Sequence, residues 1–127
     1  MELRWDGVRS LADALDMLRR QVAITPAPQW VRVVGGFTEH QFAEKRLPTL
    51  DEINAIAPDT PVFLLHLYDR ALLNAAALRA VGYTQDTPDP PAGRIVRDAG
   101  GHPTGLLLAR PNATILYATL AKGPKLP

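Results

Sequence analysis

From Pro61 to Leu67 the chain reads PVFLLHL, an apolar run broken only by His66. Such a run has no period-two alternation and so no polar side to turn to water. It predicts a central strand covered on both faces, and the rest of the chain must then supply the covering layers. The continuation YDRALLNAAALRAVG (68–82) predicts a helix. Asp69 is placed to accept from the free N–H groups that open it, Leu72 to Val81 form an alanine- and leucine-rich body, and Gly82 falls where a left-handed C-cap is expected. On this reading His66, Asp69, Arg70 and Asn74 gather at one strand-to-helix junction.

The flanking segments fill in the layers. Ser10 with Asp13 is a capping-box-like start, and Leu11, Leu15, Leu18 and Val22 recur at helical spacing until TPAP stops the run. WVRVVGG alternates Val31 and Val33 against Trp30, Arg32 and Val34, the pattern of a strand ended by paired glycines. FTEHQFAEKRLP (37–48) has no clean period and predicts a long loop with some irregular helix. Thr49 and Glu52 form a T-x-x-E capping box ahead of Leu50, Ile53 and Ile56, and Pro58 closes this short helix. Prolines 88, 90 and 91 stiffen the connection 83–92. RIVRD and TGLLLA, joined through Ala99, Gly100 and Gly101, predict a hairpin, and Asn112 is a candidate cap for a last helix through Leu116 and Leu120.

The order of these elements implies a single α+β domain over 1–127, with a small mixed, partly antiparallel sheet of about four strands packed on helices. The competing reading is a piece of a larger α/β barrel, because the first two strands each precede a helix. With 46% hydrophobic residues, a chain of this size buries about two-thirds of the surface its unfolded form exposes. Its 14 basic and 13 acidic residues are scattered and balanced, so neither nucleic acid nor an anionic membrane is expected as a partner. The absence of cysteine rules out a disulfide frame, a thiolate nucleophile and cysteine-ligated zinc, and fits a cytoplasmic setting. No apolar run approaches the roughly 18 residues of a membrane span, and the polar start MELRWDGVRS is not a signal peptide.

Several side chains carry chemistry worth weighing. His40, His66 and His102 never occur as H-x-H or H-E-x-x-H, so the local spacings of a catalytic zinc site are absent. His66 with Asp69 matches a carboxylate orienting an imidazole for general base work; the alternative is a satisfied core histidine beside a plain N-cap. Arg70 and Asn74, one helical turn apart on this reading, can offer donors to a carboxylate or amide, or form a solvated face with a packing amide. Glu39, His40 and Glu44 read either as an acid/base or metal cluster or as solvated loop charge. Gly100 and Gly101 are explained by the permissive φ that a hairpin turn requires.

Six pieces in order, namely Gly36-Phe37 after a strand, LPTLDEI, APDTPVFLLH, LLNAAALRAVG, TPDPP and RDAGGHPTGLLLA, make the chain similar to the YtcJ-like amidohydrolases, amidohydrolase family 3. The resemblance covers nearly the whole chain. It implies a metal-dependent hydrolase of non-peptide carbon–nitrogen bonds acting on a small-molecule substrate, with zinc or another divalent ion activating a water in a distorted β/α barrel. The family's metal-binding H-x-H precedes the matched segment and its other ligands follow it. The resemblance therefore implies a segment with no cofactor of its own: the α+β domain inserted in the barrel, an internal start at Met1, and no activity in isolation. Phe37, His66, Asp69, Arg70 and Asn74 are the substrate-wall candidates it points to. Asp69-Arg70 stands where many relatives have Gly-His, and PPAG where P-P-G-G is commoner. The rival readings are a non-catalytic binding or assembly module, which can form a homodimer through exposed apolar surface, and a metal-free hydrolase or isomerase using His66 with Asp69.

Overall fold

The computed structural model describes residues 2–26, 29–34, 39–66, 70–89, 93–109, 115, 116, 119, 121 and 122. In chain order these form β1 (Glu2–Arg4), α1 (Leu11–Ile24), β2 (Val31–Val34), a 3-10 turn (Glu39–Gln41), α2 (Leu50–Ile56), β3 (Val62–His66), β4 (Arg70–Leu73), α3 (Ala75–Val81), β5 (Gly93–Arg97) and β6 (Pro103–Ala109). The strands make one six-stranded sheet in the order β1-β2-β3-β4-β6-β5. The first three run parallel, and the β3–β4, β4–β6 and β5–β6 pairs are antiparallel. The fold is thus the mixed α+β sheet expected, with the apolar run of β3 at its centre.

The sheet is larger than the four or so strands expected, for two physical reasons. Strand β1 is only three residues long and sits on the edge, Glu2 opposite Arg32 and Arg4 opposite Val34; its one apolar residue, Leu3, packs on the core. A strand so short leaves no alternation to detect. Strand β4 lies inside the segment expected to be helical. Alanine and leucine are good helix formers, yet Arg70–Leu73 pairs with β3 on one side and β6 on the other. Pairing and burial on both sides outweigh a propensity of a few tenths of a kcal/mol per residue.

The helix therefore begins later than expected. Its N-cap is Asn74, with φ −72° and ψ 175°, not Asp69, and it ends at Gly82 in the left-handed conformation, φ 77°. The other caps follow the sequence. Ser10 accepts from the Asp13 N–H at 3.1 Å, and the Thr49–Glu52 capping box is complete. Asn112 and Leu120 lie outside the described residues, although Ile115, Leu116 and Thr119 are helical.

Both faces of the sheet are covered. On one, Leu11, Ala14, Leu18 and Ile53 from α1 and α2 pack on Val31, Val33, Val62, Leu64 and Leu72. On the other, Ala77 of α3 with Ile115 and Leu116 packs on Phe63, Ala71, Leu73, Ile95 and Leu107. Strand alternation produces this division: Val62 and Leu64 of β3 face the first core and Phe63 faces the second. The loop after β2 is pinned to the first core. Phe42 meets Trp5 edge-on at 6.0 Å between ring centroids, and the Gln41 side-chain amide donates to the carbonyls of Trp5 and Val8 at 2.7 and 2.8 Å.

Candidate functional site

In a partly parallel sheet, ligands gather outside the carboxyl ends of the parallel strands, where backbone groups and side chains leave the sheet together. Here β1, β2 and β3 end at one side, at Arg4, Val34 and His66. His66 stands directly opposite Arg70, the first residue of β4. The pairing continues across the sheet, Arg70 opposite Leu108 of β6 and Leu108 opposite Arg94 of β5. His66, Arg70, Leu108 and Arg94 thus form one rung on one face. His66 is 5% exposed, Arg70 and Leu108 are half-buried, and Arg94 is exposed.

The junction that the sequence assembled is divided by the extra strand. His66 and Arg70 come together, whereas Asn74 lies at the far end of the β3–β4 hairpin, about 13 Å along it at 3.3 Å per residue. There its backbone N–H donates to the Val62 carbonyl at 3.3 Å. The helical spacing read between Arg70 and Asn74 does not exist, because Arg70 is in a strand and Asn74 caps the helix. Phe37 and Asp69 lie outside the described residues.

Asn74 is fully buried and its side chain is engaged throughout. Its Oδ1 accepts from the N–H groups of Val62 and Ala77, each at 2.9 Å. Its Nδ2 donates to the carbonyls of Ala57 and Thr60, also at 2.9 Å. An amide has two lone pairs and two N–H groups to offer, and all four close within the fold, tying β3, the turn before it and α3 into one unit. Asn54 of α2 adds a second cap, its Oδ1 accepting from the Ala75 N–H at 2.8 Å.

The charged loop 39–49 serves the scaffold. The Glu44 carboxylate accepts from the N–H groups of Leu11 and Ala12 at 2.7 and 3.0 Å, closing the start of α1 from 33 residues away. Those backbone bonds hold its carboxyl below the ordinary range. Glu52 is lowered to about 2, first by its bond to Arg46 and then by the Thr49 N–H; the Arg46–Glu52 contact is 2.6 Å. Asp89 is lowered by the Ile95 N–H and by Arg97. Around His102, Asp98 Oδ1 accepts from the N–H groups of Gly100 and His102 at 2.9 and 3.0 Å, and Gly101 takes φ 82°, so the paired glycines form the hairpin turn expected of them.

The capping roles of Glu44 and Asn54, and the place of Arg94 on the rung of Arg70, are absent from any local spacing; only chain packing and sheet register reveal them. Among the described residues no three histidine, aspartate or glutamate side chains converge in a way that holds a metal ion. These residues do not fit a metal centre. No helix among them is long and apolar enough to cross a membrane.

Comparison with known proteins places this architecture. The chain is 34% identical over 119 residues to "Putative amidohydrolase YtcJ" of Bacillus subtilis (strain 168), an alignment covering 93% of this chain and 22% of that protein. It is 39% identical over 100 residues to the N-substituted formamide deformylase of Arthrobacter pascens, covering 78% of this chain and 18% of that enzyme. Among solved structures, two uncharacterized metal-dependent hydrolases share the fold. That of Pyrococcus horikoshii OT3 superposes with a TM-score of 0.60 at 19% identity, over 94% of this chain and 20% of its own. That of Pyrococcus furiosus does so at 0.56 and 18% identity, with the same coverage. The chain spans about a fifth of the length of the curated relatives it matches. Residues 1–126 match the Amidohydrolase family, and the chain belongs to that family.

Proposed function

We propose that this chain is the substrate-site-shaping segment of a metal-dependent amidohydrolase that hydrolyses non-peptide carbon–nitrogen bonds in small molecules. Family membership over residues 1–126 and the likeness to a deformylase of N-substituted formamides support the reaction class. The observation that carries the site is the convergence of three parallel strand ends with His66 and Arg70 at one side of the sheet. His66 and Arg70, with Phe37 and Asp69 in the segments that follow β2 and precede β4, form wall contacts. Asn74, engaged within the fold, serves that wall by setting the position of the hairpin.

The divalent ion, zinc by the resemblance, supplies the Lewis acid that activates water, and it is held by residues beyond this chain. The isolated chain then has no amidase activity. The absence of cysteine supports a cytoplasmic setting, and self-association into a homodimer through surface that faces the rest of the enzyme belongs to the same reading.

Two measurements test it. Elemental analysis of the purified chain is expected to find far less than one divalent ion per molecule, and added zinc is expected to produce no amidase turnover. One tightly held ion with turnover overturns the proposal. Grafting this chain into the matched region of the Arthrobacter deformylase is expected to keep its metal content and change its ranking of formamide substrates. A folded, metal-loaded graft with an unchanged ranking overturns the wall assignment.

A further inference from the structure

We propose that the Asp89–Arg97 pair is a built-in cover for the outer edge of β5, which keeps the sheet from adding the same strand of a second copy of this chain. The device is separate from the substrate wall and does not depend on it.

β5 is the last strand of the described sheet, bonded to β6 on one side and to no described strand on the other. An outer strand presents a row of N–H and C=O groups that another chain can pair with, and Gly93–Arg97, with Ile95 and Val96 inside it, is long enough for that. β1, at the opposite edge, is only three residues long, which by itself limits pairing there. In a strand the N–H and C=O of one residue point to the same side. For Ile95 both meet side chains: the N–H donates to Asp89 Oδ1 at 3.1 Å, and the carbonyl accepts from Arg97 Nη1 at 3.3 Å. Nη1 also donates to Asp89 Oδ1 at 3.0 Å, so carboxylate and guanidinium close a ring over the outward groups of one residue. The second guanidinium nitrogen, Nη2, donates to the Thr87 carbonyl, which anchors segment 87–89 beside the edge. Pro88 in that segment has no N–H, so the segment covers β5 without presenting a new ladder of donors.

The Arg97 side chain is 23% exposed, so most of it is shielded from water. A strand arriving at this edge must exchange bonds to a carboxylate and a guanidinium, roughly twice as strong as neutral ones, for ordinary backbone bonds. The exchange is unfavourable while the pair is intact. Once the pair is removed, the occupant that fits is β5 of a second copy. A two-fold axis through Ile95 sets Ile95 opposite Ile95, Arg94 opposite Val96 and Gly93 opposite Arg97, so no like charges stand directly opposed.

The test opens the cover and measures self-association. Asp89→Ala removes both carboxylate bonds, and Arg97→Gln removes the charge that holds the ring. In sedimentation velocity each variant is expected to dimerise with a Kd at least about tenfold below that of the unaltered chain. If one variant fails to fold, the other decides. A nitroxide label then locates the contact, because the chain has no cysteine and Arg94→Cys takes a single label. In the Asp89→Ala background, labels on two copies are expected within about 20 Å of each other, since neighbouring strands lie about 4.8 Å apart. With Asp89 intact, no such coupling is expected. Labels at Arg20→Cys on α1 are expected to stay uncoupled in both backgrounds. Glu44→Gln, which loosens the start of α1 instead, is expected to associate no more than the unaltered chain. Equal association of unaltered and opened chains overturns the proposal, as does association without coupling at position 94. Glu44→Gln associating as strongly as Asp89→Ala reduces the effect to general destabilisation and overturns it too.

Discussion

Replacing Asn74 by alanine removes four hydrogen bonds of 2.9 Å from a fully buried position. Each satisfied bond contributes about 1 kcal/mol net, but a buried partner left unsatisfied costs about 1–3 kcal/mol. The Val62 N–H sits at the start of the central strand and loses its side-chain acceptor. The Ala77 N–H loses the N-cap of α3, worth about 1 kcal/mol by itself. The Thr60 carbonyl is only partly buried, so water can replace its partner and the full penalty does not apply there. The sum is about 3–4 kcal/mol. A chain of this size has a stability on the order of 6–19 kcal/mol, so the variant is expected to fold with a much lower urea midpoint and an unchanged m-value. Emission from the buried Trp5 and Trp30 reports the transition. Asn74→Asp keeps both acceptor bonds but turns a carboxylate toward the carbonyls of Ala57 and Thr60, so it is expected to be no more stable than the alanine variant at neutral pH. A loss below about 1 kcal/mol for Asn74→Ala would refute the claim that this amide holds β3, the preceding turn and α3 together.

Further outcomes follow from other contacts. Gly105 has φ 104°, and a Cβ there would lie 2.1 Å from the Leu73 carbonyl oxygen; Gly105→Ala is expected to cost about 3–5 kcal/mol or abolish folding. Gly101→Ala, at φ 82° in open space, is expected to cost only about 1–2 kcal/mol, a contrast that parallel urea titrations measure. Glu52 has its folded pKa lowered from 4.5 to about 2, so its contribution is present above about 4.5 and lost as pH falls toward about 2; for a contact this exposed it amounts to about 1 kcal/mol. Glu44 and Asp89 are lowered in the same direction. The urea midpoint is therefore expected to fall through that acidic window, and Glu52→Gln to flatten the fall; a midpoint that rises on acidification contradicts the assignment. Glu44→Gln is expected to weaken the start of α1, read as faster amide exchange at Leu11 and Ala12 while the middle of the helix is unchanged.

The site shows where local reading succeeds and where it stops. His66 stands out in the sequence because it interrupts an apolar run, and it lies at a sheet end, paired across to Arg70. Asn74 does not join it, because the sheet claims Arg70–Leu73, the residues that one continuous helix from the junction requires. For Arg94, nothing within a few positions signals that β5 and β6 carry it onto the same rung as Arg70. Register across three strands is a property of long-range pairing, and no window of sequence contains it.

By itself the sequence determined what short-range chemistry decides. The caps at Ser10, Thr49 and Gly82, the alternation of Val31 and Val33, the glycine turn at 99–101 and the central place of PVFLL follow from bonds and periodicities spanning a few residues. Only the tertiary structure decided the fate of Arg70–Leu73, the capping of α1 by Glu44, the closed amide of Asn74 and the close approach that reserves position 105 for glycine. In each of these the deciding partner is distant in the chain. Burial and strand pairing at such sites outweigh local preferences of a few tenths of a kcal/mol.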